Sequence, residues 1–583
     1  MDKATIMARL KKEHYDLWSE AGERVKSGEE ACWNEYPRPQ MKREKYMLLN
    51  GKWKLNQQEI QVPFPPQALL SGYTGKIGNH LVYEKTFRVP ESFIGKRMLL
   101  HFGAVDQIAE VWVNNELVGT HEGGYLPFSF DITEKVKKRH ENILKVKVTD
   151  TLDKAYPYGK QRKNRGGMWY TPVSGIWQTV WIEAVPENYI ENVVLKPDLQ
   201  GVDITLEGNI DGFEVHVALE NGMSLDKKFT GTSGRLELSG VTLQDGTVYE
   251  PILWTIDNPY LYDMTITAGS DKVDSYFALR TISIRNIKGI NRVCLNGQPI
   301  FMHGVLDQGY YSDGLYLAAN EAEYERDVLR MKDLGYNLLR KHIKVEPECF
   351  YYACDRLGML VMQDMVNSGP YSYVFDTVLP TIGMKKKKDT RGSKNSKRKQ
   401  FFMEHTRQTI AHLYNHPCIV AYTVFNEGWG QFHSDDLYQM VKKLDDTRLV
   451  DSTSGWFAQK ENDFDSEHIY FRVEEPQVKT RPMFVSECGG YSMLAEGHYY
   501  SKYKQYGYGA CADSEGLSQK IREMYDGMII PGIKKGICGC IYTQVSDVED
   551  EINGLYSYDR KICKVQREVM LGIAADIQKE IEE

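Results

Sequence analysis

The sequence predicts a multidomain chain: a β-sandwich of jelly-roll type, an immunoglobulin-like β-sandwich, and a (β/α)₈ TIM barrel. Three observations carry this. The 583 residues exceed what one hydrophobic core supports, so several domains are expected. Up to about residue 284 the chain is built of short alternating runs parted by turn residues. From Ile284 onward, apolar runs alternate with helical stretches, the rhythm of parallel βα units. The expected units are 1–187, 188–284 and 285–583.

In the first unit, Phe102-Gly103-Ala104-Val105-Asp106, Ala109-Glu110-Val111-Trp112-Val113-Asn114-Asn115 and Leu117-Val118-Gly119 read as strand, strand and return. Val146 and Val148 alternate with Lys145 and Lys147, and Trp177, Val180 and Ile182 close the zone. Even spacing with many turn residues favours a sandwich. In the second unit, Val202-Asp203-Ile204-Thr205-Leu206 and Glu214-Val215-His216-Val217-Ala218-Leu219 alternate apolar and polar. Its length of about a hundred residues suits an immunoglobulin-like sandwich. In the third, eight strands are expected near 301–305, 336–340, 359–363, 419–425, 449–452, 467–470, 484–486 and 537–544. Helices are expected over 321–334, 349–357, 401–414 and 435–444. Barrel chemistry sits at the C-terminal ends of strands.

A net charge of −8 argues against a general nucleic-acid binder. The first residues, Met1-Asp2-Lys3-Ala4-Thr5-Ile6, hold no signal-peptide core, and no apolar run is long enough to span a membrane. The 10 Cys show no metal-ligand spacing, so free buried thiols are expected. No metal and no cofactor are expected either. A cytoplasmic protein with no nucleic-acid and no membrane partner fits these features. The basic segment 385–399 reads as a solvated loop or an anion-binding one.

Two segments point to chemistry. Phe425-Asn426-Glu427-Gly428-Trp429-Gly430 and Phe484-Val485-Ser486-Glu487-Cys488-Gly489-Gly490 each place a Glu at the end of an apolar strand-like run. A carboxylate is costly to bury unpaired, so such a Glu belongs in a cleft or in a structural ion pair. Two of them suggest the paired carboxylates of glycoside hydrolysis. At ~5.5 Å and an effective dielectric of about 20, two like charges cost roughly 3 kcal/mol. Ionising one therefore opposes ionising the other, which is what an acid and a nucleophile require. Cys488 is a rival nucleophile, but its neighbour Glu487 points its side chain the other way along a strand.

With these residues in view, the chain resembles the family-two glycoside hydrolases, which include β-galactosidases, β-glucuronidases and β-mannosidases. The likeness also rests on His121-Glu122-Gly123-Gly124-Tyr125, Ser174-Gly175-Ile176-Trp177-Gln178, Asn337-Leu338-Leu339-Arg340-Lys341-His342 and Cys354-Asp355-Arg356-Leu357-Gly358. The order of the three units is also the family's. The resemblance implies a retaining exo-β-glycosidase acting on a carbohydrate, with Glu427 as acid/base after the fourth strand and Glu487 as nucleophile at the seventh. It implies that Asn426 bonds the sugar's 2-hydroxyl and that Arg340 orients the nucleophile. Relatives commonly assemble as homo-oligomers.

Other positions stay open between roles. Tyr470 donates to the nucleophile or is a core Tyr, and His468 shares its strand face. Trp456 and Trp429 form a stacking platform or pack. Asp307, after the first strand, and Asp364, ending the third, are candidate sugar contacts. The β-glucuronidases of the family place an Asn-x-Lys pair after the eighth strand. Here the run is Glu549-Asp550-Glu551-Ile552-Asn553-Gly554-Leu555, acidic and without the Lys. Glu551 and Asn553 are then candidate contacts to a neutral sugar, with β-galactoside first and β-glucoside, β-mannoside, α-L-arabinoside or β-glucuronide as alternatives. An inactive carbohydrate-binding protein is the non-enzymatic alternative.

Overall fold

The computed structural model describes residues 14–582, apart from 244–245, 373, 382–383, 385–388, 390–395 and 471–477. Most of the basic segment therefore lies outside the described residues.

The first sandwich pairs two antiparallel sheets. One holds Tyr46–Leu48, Val180–Val185, Arg97–Phe102 and Phe128–Asp131; the other holds Gln58–Val62, Gly51–Leu55, His80–Phe87, Asn142–Thr149, Ile108–Val113 and Glu116–Glu122. Strand alternation builds the interior: Ala109, Val111 and Val113 are buried while Glu110 is exposed. Leu81, Tyr83, Leu100, Val146 and Ile182 meet them from the other strands. The second sandwich packs Asn192–Pro197, Gly201–Glu207 and Ser233–Glu237 against Ser224–Thr230, Gly212–Ala218, Tyr262–Ala268 and Asp271–Phe277. Ile204, Val215, Val217 and Ile266 fill its core. The hairpin Ile282–Ile287 and Ile290–Leu295 leads into the barrel, and its first strand spans the expected 284/285 boundary.

Eight parallel strands follow: β1 (Met302–Asp307), β2 (Leu338–Lys341), β3 (Leu360–Asp364), β4 (Ile419–Asn426), β5 (Leu449–Ser454), β6 (Asp465–Ile469), β7 (Met483–Gly489) and β8 (Ile537–Thr543). Their order, β5-β4-β3-β2-β1-β8-β7-β6, is that of a near-closed barrel with β5 and β6 at its seam. Every residue of β4, β7 and β8 is buried, as expected of strands covered on both sides. Helices α1 (Ala322–Asp333), α2 (Glu348–Leu357), α3 (Ser396–Leu413), α4 (Ser434–Leu444), α5 (Ser514–Met524) and α6 (Arg567–Glu582) surround it. Helix α3 begins earlier than expected and absorbs the end of the basic segment. Its Arg398 is buried and donates to the Gly430 carbonyl at 3.0 Å. Among the described residues no helix joins β5 to β6 or β6 to β7.

The units are locked together by buried polar contacts. Trp254 Nε1 donates to the Asp355 carbonyl at 2.8 Å, Tyr276 donates to the Asp355 carboxylate at 2.7 Å, and Arg280 reaches the Ile419 carbonyl at 2.6 Å. The stretch 150–174 of the first sandwich crosses to the barrel mouth. There the Tyr158 hydroxyl donates to the Gly369 carbonyl at 2.7 Å. Among the described residues no helix is long and apolar enough to cross a membrane.

Candidate active site

The C-terminal ends of β2, β3, β4, β6 and β7 converge on Arg340, Asp364, Glu427, His468 and Glu487. Arg340, at the end of β2, is wholly buried and fully engaged. Its Nε and Nη2 donate to Asp364 at 3.0 and 3.1 Å, and its Nη1 donates to Glu487 at 3.1 Å and to the Ser486 carbonyl at 2.8 Å. Its Nη2 also reaches Asn426 Oδ1 at 2.9 Å and Ser454 Oγ at 3.0 Å. A guanidinium out of water needs such a set of acceptors. Asp364 in turn binds His342 Nδ1 at 2.9 Å. Burial pushes the Asp364 carboxyl up, but Arg340 and His342 hold it below the usual carboxylate range.

Glu487 is aimed by irregular pairing. The register between β6 and β7 shifts so that Glu467 faces Val485 while His468 faces Glu487. Such a bulge re-aims a side chain beside a site. One Glu487 oxygen takes the Arg340 bond; the other accepts from the Tyr470 hydroxyl. Burial pushes the Glu487 carboxyl up, yet His468, Arg340, His342 and Tyr470 together hold it below the ordinary range. Tyr470 also meets Thr543 Oγ1 at 3.1 Å and stacks on Tyr508 with centroids 4.4 Å apart.

Glu427 leaves β4 in the left-handed region, at φ 51°, an uncommon conformation for a residue with a Cβ. Its N–H donates to the Ser454 carbonyl at 3.1 Å. The turn continues through Gly428 and Gly430; a Cβ on Gly430 would stand 2.2 Å from the Ser368 carbonyl oxygen. Glu427 Oε1 lies 2.9 Å from His468 Nδ1. One oxygen of Glu427, one of Glu487 and a ring nitrogen of His468 all fall within 4.8 Å of one another. The sequence spacing offers no metal-ligand set; folding brings together these three donors, a set that could hold a divalent cation.

The remaining candidates occupy the rim or the shell behind it. Asp307 is tied to Lys341 Nζ at 2.6 Å and to the Gly309 N–H at 2.8 Å, so its oxygens are already engaged. Trp456 covers the His468 ring edge-on at 5.4 Å. Trp429 is 3% exposed and packs on Trp169 at 4.9 Å and Tyr158 at 5.6 Å, away from open space. Glu551 accepts from the Tyr170 hydroxyl and from Asn553 Nδ2, the latter at 3.0 Å. Asn553 accepts from Gln544 Nε2 at 2.8 Å. Glu549 and Asp550 are paired with Arg165, at 3.2 and 3.7 Å, so much of the acidity of this run is balanced internally. Cys488 donates to the Ile541 carbonyl at 3.3 Å, and Cys540 and burial push its thiol well up, which leaves no thiolate nucleophile.

Several participants escaped the sequence reading. Ser454, at the end of β5, accepts from Arg340 and donates to Asn426 Oδ1 at 2.9 Å. Its place before Gly455-Trp456 at a strand end was the available signal. His342 sits in the Arg340-Lys341-His342 run. Tyr170, Arg165 and Lys160 come from the first sandwich, where no local pattern marks them. Burial pushes the Glu551 carboxyl up and Lys160 opposes it.

Comparison with known proteins agrees with this architecture. Residues 48–186 match the sugar binding domain of glycosyl hydrolases family 2, residues 188–280 match a second glycosyl hydrolases family 2 model, and residues 286–502 match the family's TIM barrel domain. A beta-galactosidase of Thermoanaerobacter pseudethanolicus is 26% identical over 388 residues, 63% of this chain and 47% of that protein. A beta-galactosidase of Leuconostoc mesenteroides is 27% identical over 398 residues, 65% of this chain and 36% of that protein. The chain thus spans less than half the length of these curated relatives. Among solved structures, a beta-glucuronidase of Lactobacillus rhamnosus superposes with a TM-score of 0.72 at 20% identity, covering 93% of this chain and 98% of that one. The beta-D-glucuronidase of Dictyoglomus thermophilum does so with a TM-score of 0.72 at 19% identity, with the same coverages. These likenesses speak to the fold. With all three family models matched in order across the chain, the protein belongs to glycoside hydrolase family 2.

Proposed function

We propose that the chain is a retaining exo-β-glycosidase that hydrolyses a neutral-sugar glycoside, β-galactosides first, by double displacement. One observation supports this above the rest: oxygens of Glu427 and Glu487 lie within 4.8 Å of each other. Retaining pairs stand about 5–5.5 Å apart, whereas inverting pairs leave ~6.5–9.5 Å for a water. A Glu487 oxygen attacks the anomeric carbon and forms the glycosyl ester. The bond to the aglycone oxygen breaks, and that oxygen takes a proton from Glu427. Glu427, now a carboxylate, removes a proton from water as the water oxygen attacks the same carbon, and Glu487 leaves ionised.

The surroundings suit these roles. Glu487 is held as a carboxylate by Arg340 and Tyr470, while Glu427 lies nearer the opening, its side chain 15% exposed. Asn426 is held by Arg340 and Ser454 and is placed to meet the 2-hydroxyl. A neutral glycone is favoured because Arg340, Lys341 and Arg165 are all committed to internal carboxylates. One observation favours a β-glucuronide instead. Lys160 influences Glu551 and His342, and among the described residues its ammonium has no hydrogen bond or ion pair.

The test is a panel of aryl β-galactoside, glucoside, mannoside, glucuronide, xyloside and α-arabinoside, with the first-formed anomer followed by NMR. Release of the β-anomer from a neutral β-glycoside is expected. Release of the inverted anomer rules out retention, and a dominant glucuronide rate rules out the neutral glycone.

A further inference from the structure

This inference rests on the roles given to Glu427 and Glu487 and concerns the side chain between them. The His468 side chain is wholly buried. Its Nδ1 is 2.9 Å from Glu427 Oε1 and 3.5 Å from Glu487 Oε2. Only the first lies within ordinary N–H···O range. The ring is fixed from behind. Trp456 covers it edge-on, and a Cβ on Gly455 would come within 3.0 Å of ring atoms, so a larger residue there would displace it. Its Nε2 is buried and has no hydrogen-bond partner among the described residues.

These facts choose the tautomer. A proton on Nε2 would leave a buried donor without an acceptor, at a cost of about 1–3 kcal/mol. On Nδ1 the proton has a carboxyl oxygen waiting at 2.9 Å. With Nδ1–H donating to Oε1, the transferable proton of Glu427 belongs on Oε2. Once that proton has left, the bond to Oε1 becomes a charge-assisted one to a carboxylate, which is the stronger kind. Its gain is therefore made during proton transfer, where it lowers the barrier.

We propose that His468 is a positioning residue of the acid/base catalyst: its Nδ1–H holds Oε1 of Glu427, leaves Oε2 to carry the proton, and stabilises the carboxylate that proton transfer creates. Glu487 also feels the ring, 3.5 Å from its Oε2, but it keeps a hydrogen bond to each oxygen, from Arg340 and from Tyr470, when His468 is replaced.

The test uses the full chain and two aryl glycosides of whichever sugar the panel selects. A dinitrophenolate leaves without a proton; an unsubstituted phenolate needs one. For His468→Leu, kcat/KM on the phenyl glycoside should fall by about 100-fold, and the loss on the dinitrophenyl glycoside should be at least ten times smaller, in the range of about 10-fold or less. His468→Asn can place an amide N–H near the Nδ1 position and should recover about tenfold of the phenyl loss. His468→Gln, whose amide reaches toward the Nε2 position instead, should not. Equal losses on both substrates, or an Asn variant no better than the Gln variant, overturn the proposal. The Asn–Gln comparison still decides if the Leu variant fails to fold. Glu427→Ala separates this inference from the reading beneath it. A selective phenyl loss in Glu427→Ala beside a uniform loss in His468→Leu removes the role of His468 alone; no selective loss in Glu427→Ala removes both.

Discussion

The two acidic side chains of the site are the same residue type a few ångströms apart, yet they are held in opposite ways. Glu487 sits within a strand, and each of its oxygens is gripped by a donor from a different element. Glu427 stands just past a strand, on a left-handed residue, and one of its oxygens is held by a single imidazole. The contrast teaches how a barrel can give one residue type two settings. Depth and donor number hold Glu487 below the ordinary carboxylate range, while Glu427 sits in a looser, more open place, as the two roles proposed for them would require.

The most forceful way to break this comparison is to neutralise the clamped partner. Glu487→Gln should lower kcat by about 10⁴-fold or more on the preferred aryl glycoside. Near-full turnover would end the nucleophile assignment. A second blow falls on the clamp itself. Arg340→Met leaves Asp364 and Glu487 buried without their cation, and should cost about 3–5 kcal/mol of stability. The urea midpoint would read it, and an unchanged midpoint would mean Arg340 is not the organising charge.

The mildest change sharpens the contrast. Tyr470→Phe removes one bond to the Glu487 carboxylate, and kcat/KM should fall by about 10-fold, the worth of one charged hydrogen bond. It should also move the acidic limb of the pH–rate profile to higher pH. The sign follows from Glu487 being held below the ordinary carboxylate range. Activity needs that group ionised, so it survives until pH falls through the depressed value; with a donor gone, the loss begins earlier. The same depression stabilises the fold above the unfolded carboxylate range and is lost as pH falls through the folded value. An acidic limb left in place in Tyr470→Phe would show that the phenol does not hold the nucleophile.

What could be read in advance follows the range of the forces involved. The strands of the barrel were legible because a doubly covered strand is an unbroken apolar run, as at β4. The ends were less so: β5 runs on to Ser454, past the apolar letters, because polar residues at a strand's mouth pair with one another. The strand-end positions of Glu427, Glu487 and Arg340 were legible from the apolar runs and the family resemblance together. The tie of Asp307 to Lys341 was not, since an ion pair between neighbouring strands leaves no periodic trace. Nor was the contact of Tyr170 with Glu551, which joins residues 381 positions apart.

That long-range contact has a practical consequence. The strap formed by 150–174 caps the barrel rim with Arg165 and Tyr170, so the mouth of the candidate site is a joint product of the first sandwich and the barrel. A barrel excised from its partner sandwich would keep every strand and both paired Glu residues, but Glu549, Asp550 and Glu551 at its mouth would lose Arg165 and Tyr170. A cut within 150–174 would therefore loosen the rim while leaving both paired Glu residues on their own strands.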